Sequence, residues 1–218
     1  MEVERQERVL GGTHALLGLP YTAQERGRDV PLRTLSAHLM TPQIETARIR
    51  LEPWQSDDWR ALHAIASEPE VMRYITGGAP WNETQTQEFV TRQQRHFSER
   101  NYCLWKLIVK NTDVQSGETV DGLCGIQPLI ETGEIEIGWW LAQRHWGHGI
   151  ATEAARAAAR DAFERDGLDR LVAVARKENG PSLRIMEKIG MSYERDQIHR
   201  NIPVVLYSMT KSHWLTIS

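Results

Sequence analysis

Arg144-His145-Trp146-Gly147-His148-Gly149-Ile150-Ala151-Thr152-Glu153-Ala154 is the stretch on which the fold turns. It follows a strand-like run, Glu134-Ile135-Glu136-Ile137-Gly138-Trp139-Trp140-Leu141, and opens into an alanine-rich segment. A glycine-spaced turn between a strand and a helix lets the backbone come close to a ligand. The first amides of such a helix have no carbonyl partner within it and point outward as donors. Together with the helix dipole they form a receptor for a phosphate or pyrophosphate. The segment therefore predicts a phosphate-bearing cofactor.

Two other phosphate loops are excluded. A Walker loop needs a longer glycine spacing followed by Lys and Ser/Thr, and no lysine lies between Lys110 and Lys177. A dinucleotide fingerprint needs a third glycine where this chain has Thr152. What remains is R-x-x-G-x-G.

Working outward, the hydrophobic period predicts the neighbouring elements. Ala47, Ile49 and Leu51 alternate as a strand that Pro53 ends; Ser56 and Asp57 are cap candidates for a helix carrying Trp59, Leu62, Ile65 and Ala66 inward. Pro69 opens a short helical piece, and Asn82 with Gln85 forms a capping-box pattern for a polar helix to about Arg100. From Tyr102 the period becomes two: strands at 102–110, 120–130 and 134–141, with turns at 115–118 and Glu131-Thr132-Gly133. A helix from about His148 to Asp166, a strand at 171–175, a helix from about Pro181 to Gly190 and a strand at 204–211 complete the order. This predicts an α+β (mixed α/β) fold with a central, mostly antiparallel sheet flanked by helices.

Bulk properties narrow the function classes. The 218 residues suit one domain with an appendage, and the net charge of -3 with no basic run gives no general attraction to nucleic acid. Cys103 and Cys124 are too far apart for a C-x-x-C motif and read as small buried hydrophobes in a reducing compartment. No apolar run is long enough to cross a bilayer, and acids stand near the N-terminus where a leader would be basic. The expectation is a cytoplasmic protein with no nucleic-acid or membrane partner, acting as a monomer or homodimer. Residues 1–40, punctuated by glycine and proline without sustained period, read as a poorly ordered extension; Met40 reads as a natural start for a domain over 41–218.

Several blocks together resemble the GNAT superfamily of N-acetyltransferases, and within it the ribosomal-protein alanine N-acetyltransferase branch. Leu51-Glu52-Pro53 with Asp57 and Asp58 is similar to that branch's first strand and helix start. Glu136-Ile137-Gly138-Trp139-Trp140-Leu141 resembles its E-I-G-Y-W-L strand, with Trp139 in place of tyrosine. Trp146 to Ala154 matches W-G-x-G-x-A-x-E-A; Asn179-Gly180-Pro181-Ser182 and Glu187-Lys188-Ile189-Gly190-Met191 resemble N-x-x-S and E-K-x-G-F. The matching blocks run from about residue 44 to 210 in the family's order.

The resemblance implies acetyl-CoA as co-substrate, with no metal. The amides of Gly147, His148, Gly149, Ile150 and Ala151 would hold the pyrophosphate, and Arg144 would add a charge-assisted contact or serve only as a loop arginine. It also implies that the strand before the loop bulges and splays from its parallel neighbour. Pantetheine then lies against free backbone groups of Trp139, Trp140 and Leu141. The implied reaction is direct attack of a primary amine, on a protein N-terminus or a small molecule, upon the thioester. At pH 7 about one lysine in a few thousand is neutral against about one α-amine in ten, so a lysine-type substrate needs proton removal more.

Glu136 is the candidate base, acting through water; cross-sheet pairing is its structural alternative, and Glu134 is the rival. Ser182 is the candidate acid or thiol partner, and equally a helix-cap serine; Asn179 caps the helix, contacts CoA, or both. Tyr193 is the reserve acid. Trp81 would line the acceptor pocket, while most of the eight tryptophans belong to the core. His145 and His148 have no metal-like spacing. The functional alternative is a catalytically silent acyl-CoA-binding sensor or scaffold.

Overall fold

The computed structural model describes residues 43–110 and 119–217. The expected extension over 1–40 and the turn at 115–118 lie outside them.

β1 (Ile44–Glu45) and β2 (Ile49–Glu52) form a short hairpin, and Ile49 and Leu51 of β2 are buried as their alternation requires. A 3-10 turn at Ser56–Asp58 leads into α1 (Trp59–Ala66). Ser56 and Asp57 sit inside that turn; the carboxylate that satisfies the entering chain is that of Asp58, which accepts from the Gln55 amide at 2.6 Å. α2 is Pro69–Met72, started by its proline. α3 (Glu83–Arg100) begins with a complete capping box: Gln85 N–H donates to Asn82 Oδ1 and Asn82 N–H to Gln85 Oε1, both at 2.9 Å. Asn101, with φ 63°, stops it.

Three antiparallel strands follow: β3 (Leu104–Val109), β4 (Gly122–Pro128) and β5 (Ile135–Leu141). α4 (Ile150–Glu164) buries Ala154, Ala155, Ala157, Ala158, Ala159 and Ala162. Small side chains on that face let the helix lie close upon β4 and β5. β6 (Arg170–Ala175), α5 (Gly180–Lys188), β7 (Ser192–His199), β8 (Ile202–Thr210) and α6 (Lys211–Ile217) complete the chain. β7 and α6 escape the sequence reading. β7 is mostly exposed and polar, so its alternation is weak, and α6 spans only seven residues.

The eight strands form a mixed sheet in the order β1-β2-β3-β4-β5-β6-β8-β7. Among the described strands, β5 and β6 alone run parallel, and they pair only at Glu136 opposite Val172. Beyond that point they part. The expected bulge in β5 is absent: β5 pairs with β4 in unbroken register from Ile135 to Leu141, and a register shift lies instead in β7 between Tyr193 and Arg195. Divergence from β6 opens the sheet without an inserted residue.

The core runs through both sides of the opening, with Leu51, Trp105, Leu107, Leu123, Phe163 and Leu171 almost fully buried. Each such side chain contributes about 1.5–3 kcal/mol of burial. Cys103 and Cys124 are buried free thiols, and burial pushes Cys103 up to about 12, so neither is a reactive thiolate. Among the described residues no helix is long and apolar enough to cross a membrane.

Candidate active site

The loop after β5 is held from below by a buried carboxylate. Asp121, 4% exposed, accepts from the Val109 amide at 2.8 Å, from Arg144, and meets His145 Nε2 at 2.9 Å. Arg144 is thus engaged in anchoring the 3-10 turn Gln143–His145, half of its side chain remaining in solvent. The Trp146 indole donates to the Leu141 carbonyl at 3.0 Å, fastening the loop back onto the strand it leaves. Arg48 Nη1 donates to the His148 carbonyl at 2.9 Å while the same guanidinium pairs with Glu153, so the start of α4 is strapped to β2. Glu153 holds this strap from the first turn of the helix, where its charge also favours the dipole.

Gly147 and Gly149 both take left-handed backbone, φ 78° and 76°, and Gly149 is the N-cap of α4. Any other residue would be strained there. The amides at the helix start have no intrahelical carbonyl, and Gly149, Ile150 and Ala151 line the cavity beside the opened sheet.

Main-chain groups of β5 line the gap beside this loop. The Trp140 carbonyl faces β4, since a Cβ added to Gly122 would stand 2.3 Å from it. Groups on successive strand residues alternate in direction, so those of Trp139 and Leu141 face the gap. The Leu141 carbonyl already takes the Trp146 indole, leaving Trp139 the better-exposed partner.

Two cavities meet at this point. The first, about 510 Å³, is walled by Trp139 to Leu141, the loop from His145 to Thr152 and the start of α5. The second, about 190 Å³, lies among Trp81, Phe89, Glu136 and the β7–β8 end of the sheet. Tyr74, Ile75, Trp139, Trp140, Asn179 and Ser182 belong to both walls. An extended phosphate-bearing molecule in the first would therefore meet a small molecule in the second along that shared wall.

Glu136 lines the second cavity and is 9% exposed. Burial raises its carboxyl above the ordinary carboxylate range, against the Gln127 hydrogen bond and the nearby charges of His199 and Arg200. Gln127 Nε2 donates to Glu136 Oε1 at 2.6 Å, Gln93 Nε2 to Gln127 Oε1 at 3.4 Å, and the Leu104 amide to Gln93 Oε1 at 3.0 Å. Sequence reasoning missed Gln93 and Gln127. The available signal was a glutamine on the apolar face of α3, in register with Phe89 and Val90. Glu134 instead pairs with Arg170 and Arg195, away from both cavities.

Asn179 Oδ1 accepts from the Ser182 amide at 3.3 Å, so Asn179 caps α5 while also lining both cavities. Ser182 presents its side chain at the same junction. Tyr193 is more than half exposed, donates to Asp196 at 3.1 Å and lines neither of the two cavities, which removes the ground for a reserve acid. Trp81 packs with Phe89 and Trp140 at ring separations of 5.3 and 5.5 Å, forming an aromatic side of the second cavity. Among the described residues no group of three or more His, Cys, Asp or Glu side chains is placed to hold a metal ion.

A mixed sheet opened between its parallel strands, with a glycine-capped helix at the opening, is the architecture of an acetyltransferase. The chain belongs to the GNAT family: the family model described as "Acetyltransferase (GNAT) domain" matches residues 48–192. It is 35% identical over 168 residues to the Bacillus subtilis (strain 168) protein YkkB, covering 76% of this chain and 94% of YkkB. It is 30% identical to YnaD of the same organism, an uncharacterized N-acetyltransferase, over 69% of this chain and 83% of that protein. A GNAT-family acetyltransferase structure from Bacillus anthracis superposes with a TM-score of 0.65 at 27% identity, covering 78% of this chain and 99% of that one.

Proposed function

We propose that this chain transfers the acetyl group of acetyl-CoA to a primary amine in the cytoplasm, residues 41–218 being the catalytic unit and residues 1–40 dispensable. The observation that carries the reading is the shared wall of the two cavities, with a buried carboxylate on the smaller side. Acetyl-CoA supplies the thioester. The amides of Gly147 to Ala151 hold its pyrophosphate, and the Trp139 main chain pairs with its pantetheine arm along the parted strands. Arg144 contributes through its anchor on Asp121, with the exposed part of its guanidinium free to meet phosphate.

The amine nitrogen bonds to the acetyl carbon as the carbon–sulfur bond breaks. Glu136, whose affinity for protons is raised by burial, takes the amine proton, directly or through a water. Charge on the thioester oxygen is stabilised by a main-chain N–H of β5. Ser182 donates a hydrogen bond to the departing sulfur, which leaves as the thiolate of CoA and takes a proton from solvent, while Glu136 returns the captured proton to solvent. Purified protein given acetyl-CoA and a panel of amines should release CoA in step with amine acetylation. Binding of acetyl-CoA without CoA release on any amine would reassign the chain as a sensor. Full activity of the protein lacking residues 1–40 is expected from the same assay.

A further inference from the structure

The smaller cavity carries more positive charge than proton abstraction requires. Arg92 and Arg200 both line it, reaching it from α3 and from the β7–β8 hairpin. Among the described residues neither guanidinium forms an ion pair with a carboxylate. Glu131, the nearest candidate on the hairpin side, is occupied otherwise: it accepts from the Arg200 main-chain amide at 2.9 Å and meets His199 Nδ1 at 2.8 Å. Arg92 lies over the Phe89 ring at 5.2 Å. Burial first, and the charge of Arg200 second, pull the Arg92 guanidinium down to about 10, while the attraction of Glu88 is the smallest influence on it.

The hairpin that carries Arg200 is itself strained. Arg200 and Asn201 have φ 49° and 63°, the left-handed pair of a two-residue turn in which glycine or asparagine is the easy choice at the first position. Two neighbouring cations facing one small, partly dry space repel each other until an anion enters, and a guanidinium takes a carboxylate through paired hydrogen bonds. The aromatic side of the same space, Trp81, Phe89 and Trp140, suits an apolar side chain.

We propose that this cavity binds a free amino acid with an apolar or aromatic side chain as the acetyl acceptor, Arg92 and Arg200 holding its carboxylate and Glu136 facing its amino group. The inference rests on the acetyl-transfer reading above. A volume of about 190 Å³ is of amino-acid scale, below the roughly 300–1,000 Å³ of drug-sized sites. A polyamine would bring further positive charge beside the two arginines. A peptide N-terminus would bring a neutral amide where the carboxylate belongs.

The test is kcat/KM with acetyl-CoA for phenylalanine, leucine and methionine, each against its own carboxamide, with phosphoethanolamine and spermidine alongside. The acids are expected to exceed their amides by at least about tenfold, the size of one lost charge-assisted contact. Arg200→Gln and Arg92→Gln should each erase most of that preference by raising KM for the acid. Arg200 is exposed on its hairpin, so its variant is expected to fold like the parent, which a melting curve checks. Faster turnover of the amides, of spermidine or of phosphoethanolamine overturns the assignment, as does a preference that survives both substitutions. CoA release with those other amines leaves the acetyl-transfer reading standing; no release with any amine ends both.

Discussion

The two cavities are built on opposite principles. The larger offers main chain to a ligand: two left-handed glycines, the amides at the start of α4 and the strand edge that β5 exposes where β6 turns away, with side chains of α2 and α5 completing the wall. The smaller is made of side chains gathered from α3, β4, β5, α5 and the β7–β8 hairpin. A main-chain site depends on conformation and tolerates most side-chain changes. A side-chain site can be altered one residue at a time, which is how one scaffold serves different acceptors.

Gly149→Val attacks the first principle directly. Its added Cβ meets nothing closer than Arg48 at 3.6 Å, so the effect is conformational. Losing two charge-assisted phosphate contacts corresponds to about 1,000-fold in CoA affinity, read by calorimetry. Unchanged affinity would break the contrast. Asp121→Ala removes the support of the same loop, leaving Arg144, His145 and the Val109 amide without their common acceptor; about 3 kcal/mol of stability should be lost in urea unfolding.

Glu136→Gln addresses the second cavity and should lower kcat about 100-fold while CoA affinity stays put. Because burial raises the Glu136 pKa, the acid limb of the wild-type pH–rate profile should lie above the ordinary carboxylate range. Gln127→Leu deletes a bond that favours the charged form, so that limb should move to higher pH. The stability effect has the opposite sense: a carboxyl with a raised folded-state pKa costs stability as pH rises through that value, so Glu136→Gln should melt higher than wild type on the alkaline side of the acid limb. Ser182→Ala is the mildest change, about fivefold in kcat for one neutral hydrogen bond, with acetyl-CoA binding intact. A larger loss accompanied by weaker binding would place Ser182 in the cofactor groove.

The contrast also explains what the sequence could tell. Gly147 and Gly149 are local signals, and a strand–turn–helix needs only neighbouring residues, so the loop, α4 and the order β3 to β6 were legible. Glu136 was legible because it sits on the strand that leads into the loop. Gln127 faces Glu136 across the β4–β5 hairpin, whereas Gln93, Arg92 and Arg200 belong to elements that only the sheet order β5-β6-β8-β7 and the docking of α3 bring together. Nothing in their spacing announces that meeting. Arg144 adds a long-range partner to a locally legible loop: its guanidinium anchors on Asp121, 23 positions away just before β4, a contact that no spacing shows.

The glutamine pair beneath Glu136 has a direction. Each amide receives on its oxygen and gives from its nitrogen, so the run from Leu104 through Gln93 and Gln127 delivers donors, never lone pairs, to one carboxylate oxygen. Reversing any member would set two donors or two lone pairs face to face, and the whole row is therefore locked in one sense. The oxygen it reaches already holds a donor and is the less basic of the two. The proton taken from an arriving ammonium therefore favours the other oxygen, and the working edge of this buried carboxylate is biased by a row that runs back to the main chain of β3.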